Sequence, residues 1–304
     1  MRVRTAPLVT AVALVLAGGL SACSQAGTAA SCAPLLEPGP VSDSVVVLGE
    51  AGTPPQVSIP TDAIPTITQR TLVQQAENRD QVVTEGDLVT VNFAFFDGLS
   101  GEQVFATPGF GTDTGGYIVQ DVADTEISAF TTAFRCAAAG DRVVVALSPK
   151  DSVAFAQGYG VMPGTPIVAV ADVQGVAGLA AEGNVRSLPS GFPGIAVDEN
   201  HRPGIVIPPG TEPTQVKSAA SIVGDGKEIR AEDVVIAQVL TVTWNRDVVE
   251  NTWESGPKSL GNEETPGATF RDQLTGKTVG SQIAVMTPGE GGAQARVVDV
   301  LSVG

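Results

Sequence analysis

The sequence predicts an α+β protein that is rich in short β-strands and organised as two domains. Its 304 residues include 35 glycines and 21 prolines, and valine is abundant while lysine and leucine are sparse. Frequent turn formers and β-branched residues favour many short strands over long helices. The length is sufficient for two cores of ordinary size, and one order of sequence signals occurs in both halves of the chain.

Residues 1–22 resemble a bacterial lipoprotein signal. Arg2 and Arg4 precede a short apolar run, and the box Leu20-Ser21-Ala22-Cys23 follows it. The resemblance implies cleavage before Cys23 and a lipid on its thiol. An ordinary secretory signal and a membrane helix are the alternatives, although the run is short for a span. We therefore expect a lipid anchor on the extracytoplasmic face of the cell membrane, followed by a tether at 23–41.

Charge and composition exclude several functions. The formal net charge is −16, so nucleic acid is not an expected partner. His201 is the only histidine, so Ser-His hydrolysis and the usual His-based zinc sites lack a residue that they require. Neither a nucleotide-binding glycine loop nor a calcium loop occurs. We expect no metal and no cofactor.

Two cysteines remain once Cys23 carries lipid. In an exported protein, Cys32 and Cys136 could form a disulfide that closes a long loop. They could equally be separate buried thiols, because free cysteine packs well in an apolar helix.

The first domain is predicted at 42–177. Residues 42–49 and 57–60 indicate strands, and 88–96 (LVTVNFAFF) alternates as a half-buried strand before the Asp97-Gly98 turn. Helical spacing from Ile127 to Ala138 predicts a short helix that ends at Gly140 and feeds a strand at 143–145. Residues 150–165 are predicted as a long loop that carries Phe155 and Tyr159, and 167–173 as the last strand.

The second domain is predicted at 204–304, after a linker at 178–203 that is rich in glycine and proline. Ile205-Val206-Ile207-Pro208 matches Val57-Ser58-Ile59-Pro60, and 231–242 matches 85–96. Residues 280–288 match 140–149. These matches predict that one fold occurs twice.

Aromatic residues are concentrated in the first domain. The chain has 10 phenylalanines, 2 tyrosines and 2 tryptophans, and most of them fall between Phe93 and Tyr159. Such a concentration can be core alone. Phe110, Tyr117 and Tyr159 lie in loop-like sequence, however, where aromatic side chains often line a ligand pocket.

The order of these signals resembles the FKBP-type peptidyl-prolyl isomerases, in particular the tandem lipoprotein members of actinobacteria. The resemblance covers about 82–176 and 228–304, and the matching motifs are Glu85-Gly86-Asp87, Phe130 and Gly158-Tyr159-Gly160. It implies two FKBP-like domains, each a twisted antiparallel sheet wrapped on a short helix.

The resemblance also implies site residues. Its catalytic pocket would be formed by Phe93, Phe105, Phe130, Tyr159 and the backbone N–H of Ile127. Further contacts to substrate would come from Phe110, Tyr117, Phe155 and Val168. Three positions depart from the family pattern: Ala106 stands where an aspartate is usual, Glu126 where the family has an apolar residue, and Val168 where it has an aromatic one.

The second repeat retains Trp253-Glu254-Ser255 and Phe270 but has no counterpart of Tyr159. Only the short segment 289–295 separates Pro288 from its last strand, and Val239 replaces the early aromatic residue. This repeat is predicted to be a structural or binding module.

Three functions remain open at this level. The first is a monomeric isomerase that assists the folding of exported, proline-containing polypeptides, because rotation about an X-Pro bond needs an apolar pocket and neither nucleophile nor metal. The second is a chaperone that binds the same segments without catalysis. The third is a purely structural surface lipoprotein.

Overall fold

A computed structural model describes residues 32–60, 64–107, 110, 116–119, 129–210, 212–261, 270–289 and 291–303. Within these ranges the chain is mostly β-sheet, its helices are short, and every strand pair is antiparallel. No helix in this part of the chain is long and apolar enough to cross a membrane.

The first half forms one sheet, a hairpin and short helices. Its elements are α1 (Pro40–Ser44), β1 (Val46–Leu48), β2 (Gln56–Ser58), β3 (Gln69–Gln74), β4 (Leu88–Asp97), β5 (Gln103–Ala106), β6 (Gly116–Val119), α2 (Ala129–Thr132), β7 (Arg142–Leu147), α3 (Val153–Tyr159) and β8 (Ile167–Ala177).

The second half contains β9 (Asn184–Val185), β10 (Gly194–Val197), β11 (Pro203–Val206), β12 (Lys217–Val223), β13 (Val235–Thr243), β14 (Val248–Asn251), α4 (Thr252–Ser255), β15 (Lys258–Leu260), a 3₁₀ turn (Arg271–Leu274), β16 (Gln282–Thr287) and β17 (Gln294–Val303).

The two sheets have the same strand order. The first runs β3-β7-β8-β4-β5, with β6 also paired to β4. The second runs β12-β16-β17-β13-β14, with β15 also paired to β13 and β9 added at the β12 edge. A hairpin precedes each sheet, β1–β2 in the first half and β10–β11 in the second. We call these halves the first and second repeats.

A threonine marks corresponding positions in the two repeats. Thr107 donates to Asn92 Oδ1 and accepts from the Phe93 N–H. Thr252 donates to Gln238 Oε1 and accepts from the Val239 N–H. Because the same bonds join the same strands, residue 93 corresponds to 239, and the alignment extends along β4 and β13.

A buried aspartate also occupies corresponding positions in the two sheets, but its hydrogen-bond partners differ. Asp172 binds the Arg142 guanidinium through Nε at 2.6 Å and Nη2 at 2.7 Å, and it accepts from the Gly52 N–H. Arg142 also donates to the Gly49 and Thr53 carbonyls, so the ion pair holds down the turn of the β1–β2 hairpin.

In the second repeat the corresponding residues are Asp299 and Gln282. The Gln282 side chain carries no charge. Asp299 accepts from Gln282 Nε2 at 2.9 Å and from the Ala181 N–H at 2.9 Å. Burial, only partly offset by these bonds and by the charge of His201, raises the pKa of Asp299 to about 6. The ionised carboxylate is therefore disfavoured here, and this group contributes more stability as the pH falls from above 6 towards 4.

The predicted tether is folded where the structure describes it. Cys32 and Cys136 form a disulfide across 104 residues, and Leu36 packs against the first core. Residues 42–49 are not one strand, because α1 begins at Pro40 and ends at Ser44 before β1. Gly39 caps this helix, with its N–H donating to Ser42 Oγ, and a Cβ at Gly39 would lie 2.3 Å from the Gln69 side chain.

The segment predicted as a linker, 178–203, also carries structure. Its strand β9 pairs with β12, β10 lies in the second hairpin, and Ala181 donates to the buried Asp299. These contacts order a segment rich in glycine and proline, because backbone hydrogen bonds to an open sheet edge satisfy its polar groups.

The prediction of a loop at 150–165 is wrong, because helix α3 lies within this segment. Ser152 begins the helix and its Oγ donates to the Thr165 carbonyl at 2.6 Å. Gly160 ends it with a φ of 70° and an N–H that donates to Ala156. A glycine just after the last residue of a helix is a common C-cap and was a sequence signal for this helix, whereas Ser152 makes no side-chain capping bond to it.

Candidate functional site

Aromatic side chains meet on the inner face of the first sheet. Phe93 and Phe95 project from β4 to the same face because they lie two residues apart in a strand. The rings of Phe105 from β5, Phe130 from α2, and Phe155 and Tyr159 from α3 complete the group. We call these six residues the aromatic cluster.

Phe95 lies at the centre of the aromatic cluster. Its ring centroid is 4.9 Å from that of Phe93, 5.3 Å from Phe130 and 5.1 Å from Tyr159. The rings of Phe105 and Phe155 lie at 6.1 and 5.4 Å. Phe95 is only 1% exposed, whereas Phe93, Phe105, Phe155 and Tyr159 are half-buried. The cluster therefore has a closed centre and an accessible rim.

Helix α3 is fixed to the sheet by polar contacts at its start. Asp151 accepts from the hydroxyls of Thr68 and Ser148, at 2.6 and 2.9 Å. These bonds, together with Ser152, hold the helix so that Phe155 and Tyr159 face the sheet. Tyr159 then packs on Phe105 with ring centroids 4.6 Å apart.

The structure brings together five residues that the sequence singled out: Phe93, Phe105, Phe130, Phe155 and Tyr159. Phe155 and Tyr159 contact the cluster from a helix and not from a loop tip. Sequence reasoning missed Phe95, although the alternation of Phe93 and Phe95 on one strand was a signal for it.

Two predicted contact residues lie on the opposite face of the sheet. Val168 is 2% exposed and packs with Phe96 and Val170 beneath the β1–β2 hairpin. Phe110 packs against the same outer group. The prediction that they line the pocket is wrong, because alternate residues of a strand face opposite sides and Ile167 and Ala169 are the β8 residues that face the cluster.

Other predicted residues cannot be assigned a contact. Tyr117 lies in β6, where it pairs with Thr90, and nothing is described of its side chain. Ile127 and Cys23 lie outside the described residues. Their roles stay predictions.

The corresponding face of the second repeat is charged. Pairing registers place Val239, Thr241 and Glu250 where the first repeat has Phe93, Phe95 and Phe105. Glu250 forms an ion pair of 2.5 Å with Lys258. The guanidinium of Arg296, in the place of Ala169, lies 4.9 Å above the ring of Phe270. Burial lowers the pKa of Arg296.

The cavities that we describe lie away from the aromatic cluster. None of the four cavities that we describe is lined by a residue of the aromatic cluster. The described residues contain no group of three or more His, Cys, Asp or Glu that could hold a metal.

Fold and site together define a mostly antiparallel β protein with a duplicated sheet and one aromatic cluster. No protein-family model and no curated protein matches the chain. Similar solved structures are the three FKBP domains of wheat FKBP73 (14% identity, 78% of this chain and 94% of that chain, TM-score 0.33), the N-terminal domain of FKBP42 from Arabidopsis thaliana (12%, 42% and 98%, 0.31) and FkpA from Escherichia coli (15%, 38% and 52%, 0.25). These neighbours are FKBP-domain proteins, but at TM-scores below 0.5 the likeness carries no argument about fold or function.

Proposed function

We propose that the chain is an FKBP-type peptidyl-prolyl cis-trans isomerase that acts on exported polypeptides through its first repeat. The aromatic cluster is the observation that carries this proposal. Among its six side chains the Tyr159 phenol is the only ionisable group, so the surface suits an uncharged proline ring and offers no acid, base or metal chemistry. Rotation about an X-Pro bond requires none of these.

In this proposal the half-buried rim receives the substrate. Phe93, Phe105 and Tyr159 contact the proline ring and remove water from the imide. Loss of water disfavours the charge-separated resonance form that gives the C–N bond its double-bond character, and so lowers the barrier to rotation. The backbone N–H of Ile127 would hold the preceding carbonyl, as the family resemblance implies.

A second candidate is a module that binds proline-containing segments without accelerating rotation. The closed centre favours it, because the ring of Phe95 occupies the place in which a proline ring would be most fully surrounded. A binder needs only the rim, whereas an isomerase must also enclose the rotating bond.

We expect Phe130→Leu in the full chain to reduce cis-trans exchange of a proline peptide at least about tenfold, which corresponds to about 1.4 kcal/mol of activation free energy. Tyr159→Ala, at the rim of the aromatic cluster, should reduce the exchange rate by a similar factor. Exchange is measured by NMR, which reports rotation directly. Phe270→Leu is the matched control in the second repeat and should leave the rate unchanged.

The outcomes separate the candidates. A wild-type chain that shifts peptide resonances without faster exchange supports the binding module. Loss of exchange in Phe270→Leu alone would place the activity in the second repeat and contradict the proposal. Circular dichroism of each variant shows whether the fold is retained.

We also propose that Cys23 is lipidated and anchors the protein at the extracytoplasmic face of the membrane. The support is the Leu20-Ser21-Ala22-Cys23 box. Cys23→Ala is expected to stall processing or to release the protein from the membrane fraction, as seen by fractionation and by the mass of the N-terminal peptide. Membrane retention of a fully processed Cys23→Ala protein would contradict this proposal.

A further inference from the structure

The outer faces of the two sheets differ in how well they are covered. In the first repeat, the β1–β2 hairpin lies on a packed group that includes Phe96, Val168 and Val170, with Ile59 and Phe110 against it. In the second repeat, a groove of about 430 Å³ lies between β11 and the strands β13 and β14. Its walls include Val206, Ile207, Leu240, Val242 and Val248.

The groove occupies the place that two phenylalanine rings fill in the first repeat. The pairing registers make Val242 the counterpart of Phe96 and Leu240 that of Ala94. Three residues after Thr107 comes Phe110, whereas three residues after its counterpart Thr252 comes Ser255, which is exposed. The second repeat thus has a smaller side chain at each of these two positions, and the groove lies there with Ile207, Leu240 and Val242 as its buried floor.

Exposed apolar side chains lie at the rim of the groove. Val206 is 63% and Val248 is 64% exposed, so apolar surface is accessible at the mouth of the groove. Beside them, β14 is the last strand of its sheet, and no described strand pairs with its outer edge. An unpaired edge next to an apolar groove can accept an extended peptide by strand addition.

Charge indicates one further feature of the occupant. Arg246 lines the groove in the turn between β13 and β14 and is exposed. On a chain with a net charge of −16, this guanidinium offers a local site for a carboxylate.

We propose that this groove binds an extended polypeptide segment that inserts one aromatic side chain, pairs along β14 and places an acidic residue at Arg246. The inserted ring takes the place that Phe110 has in the first repeat. This site lies on the face opposite the aromatic cluster and does not depend on the function proposed for that cluster.

The chain's own sequence provides a probe. A labelled synthetic peptide ATPGFGTD, which corresponds to 106–113, contains Phe110 as its single aromatic residue together with one acidic residue. We expect it to bind the full chain in a fluorescence-anisotropy titration, and the same peptide with Phe110→Ala to bind at least about tenfold more weakly, because the apolar burial of the ring is lost. The alanine peptide retains the proline and so controls for binding at the aromatic cluster.

Protein variants test the groove itself. Val242→Phe restores the ring of the first repeat inside the groove and should weaken binding at least about tenfold. Val248→Asp changes only the exposed rim and should do likewise without disturbing the fold. Arg246→Ala should weaken binding about threefold. Val216→Phe, outside the groove, is the matched control and should bind as the wild type does.

Three results would overturn the proposal. They are equal binding of the two peptides, undiminished binding to Val248→Asp, and binding of an alkyl amphiphile to the groove when no peptide binds. The last result would assign the groove to a lipid chain.

Discussion

Asp172→Asn is expected to lower the free energy of unfolding of the first repeat by about 3 to 5 kcal/mol. The substitution leaves the shape of the side chain almost unchanged but removes its charge. Arg142 is 1% exposed, so its guanidinium would remain buried without a counter-ion. The new amide N–H₂ would also face the Arg142 and Gly52 donors, which have no lone pair to offer.

The second repeat offers the matched control. Asp299→Asn removes the acid at the same position of the sheet, where the partner is the neutral Gln282. Because burial raises the pKa of Asp299 to about 6, the group is mainly protonated at about pH 5, and there its replacement by the neutral amide should change stability by less than about 1 kcal/mol. The comparison isolates the effect of the buried arginine.

The two repeats can be followed separately in denaturant. Both tyrosines lie in the first repeat and both tryptophans in the second, so tyrosine circular dichroism and tryptophan fluorescence report different transitions. Hydrogen exchange at the Gly52 N–H, which donates to Asp172, should accelerate in Asp172→Asn. Equal shifts for the two substitutions would contradict the assigned role of the Arg142–Asp172 pair.

Loss of the Cys32–Cys136 disulfide is expected to cost the first repeat about 4 kcal/mol. The bond closes a loop with a sequence separation of 104, and such a crosslink removes much of the freedom of the unfolded chain. It also joins the N-terminal segment to the turn after helix α2, where the Cys136 N–H donates to the Val83 carbonyl and Arg79 donates to the Cys136 carbonyl.

Cys32→Ala with Cys136→Ala should therefore shift the tyrosine transition to lower denaturant and leave the tryptophan transition in place. Unreduced wild-type protein treated with an alkylating agent serves as the control, and its mass should show neither thiol modified. If the double variant unfolds at the wild-type midpoint, the disulfide has no stabilising role.

Much of the β-structure follows from local patterns. Alternation in 88–96 predicted β4, the valine run predicted β7, and the repeated signals correspond to sheets with the same strand order. These features depend on neighbouring residues, because the faces of a strand alternate with a period of two. The order of Phe93 and Phe95 likewise places both rings on one face.

The errors fall where distant partners decide the local structure. Helix α3 requires the Thr68–Asp151 contact and the Thr165 carbonyl, which come from other elements. Residues 178–203 become ordered because β12 and Asp299 provide hydrogen-bond partners for them. Neither set of contacts can be read from sequence spacing.

The sequence by itself determined three features of this protein. The chain is rich in strands with a repeated order of elements, its aromatic side chains are concentrated in one half, and two cysteines are available to pair. Only the tertiary structure decided which rings meet, because the register between β4 and β8 turns Val168 away from the cluster and leaves Ala169 facing it. It also showed that Phe95 fills the centre of the cluster. A one-residue change of register exchanges the two faces of a strand, and packing against the opposite layer selects the register.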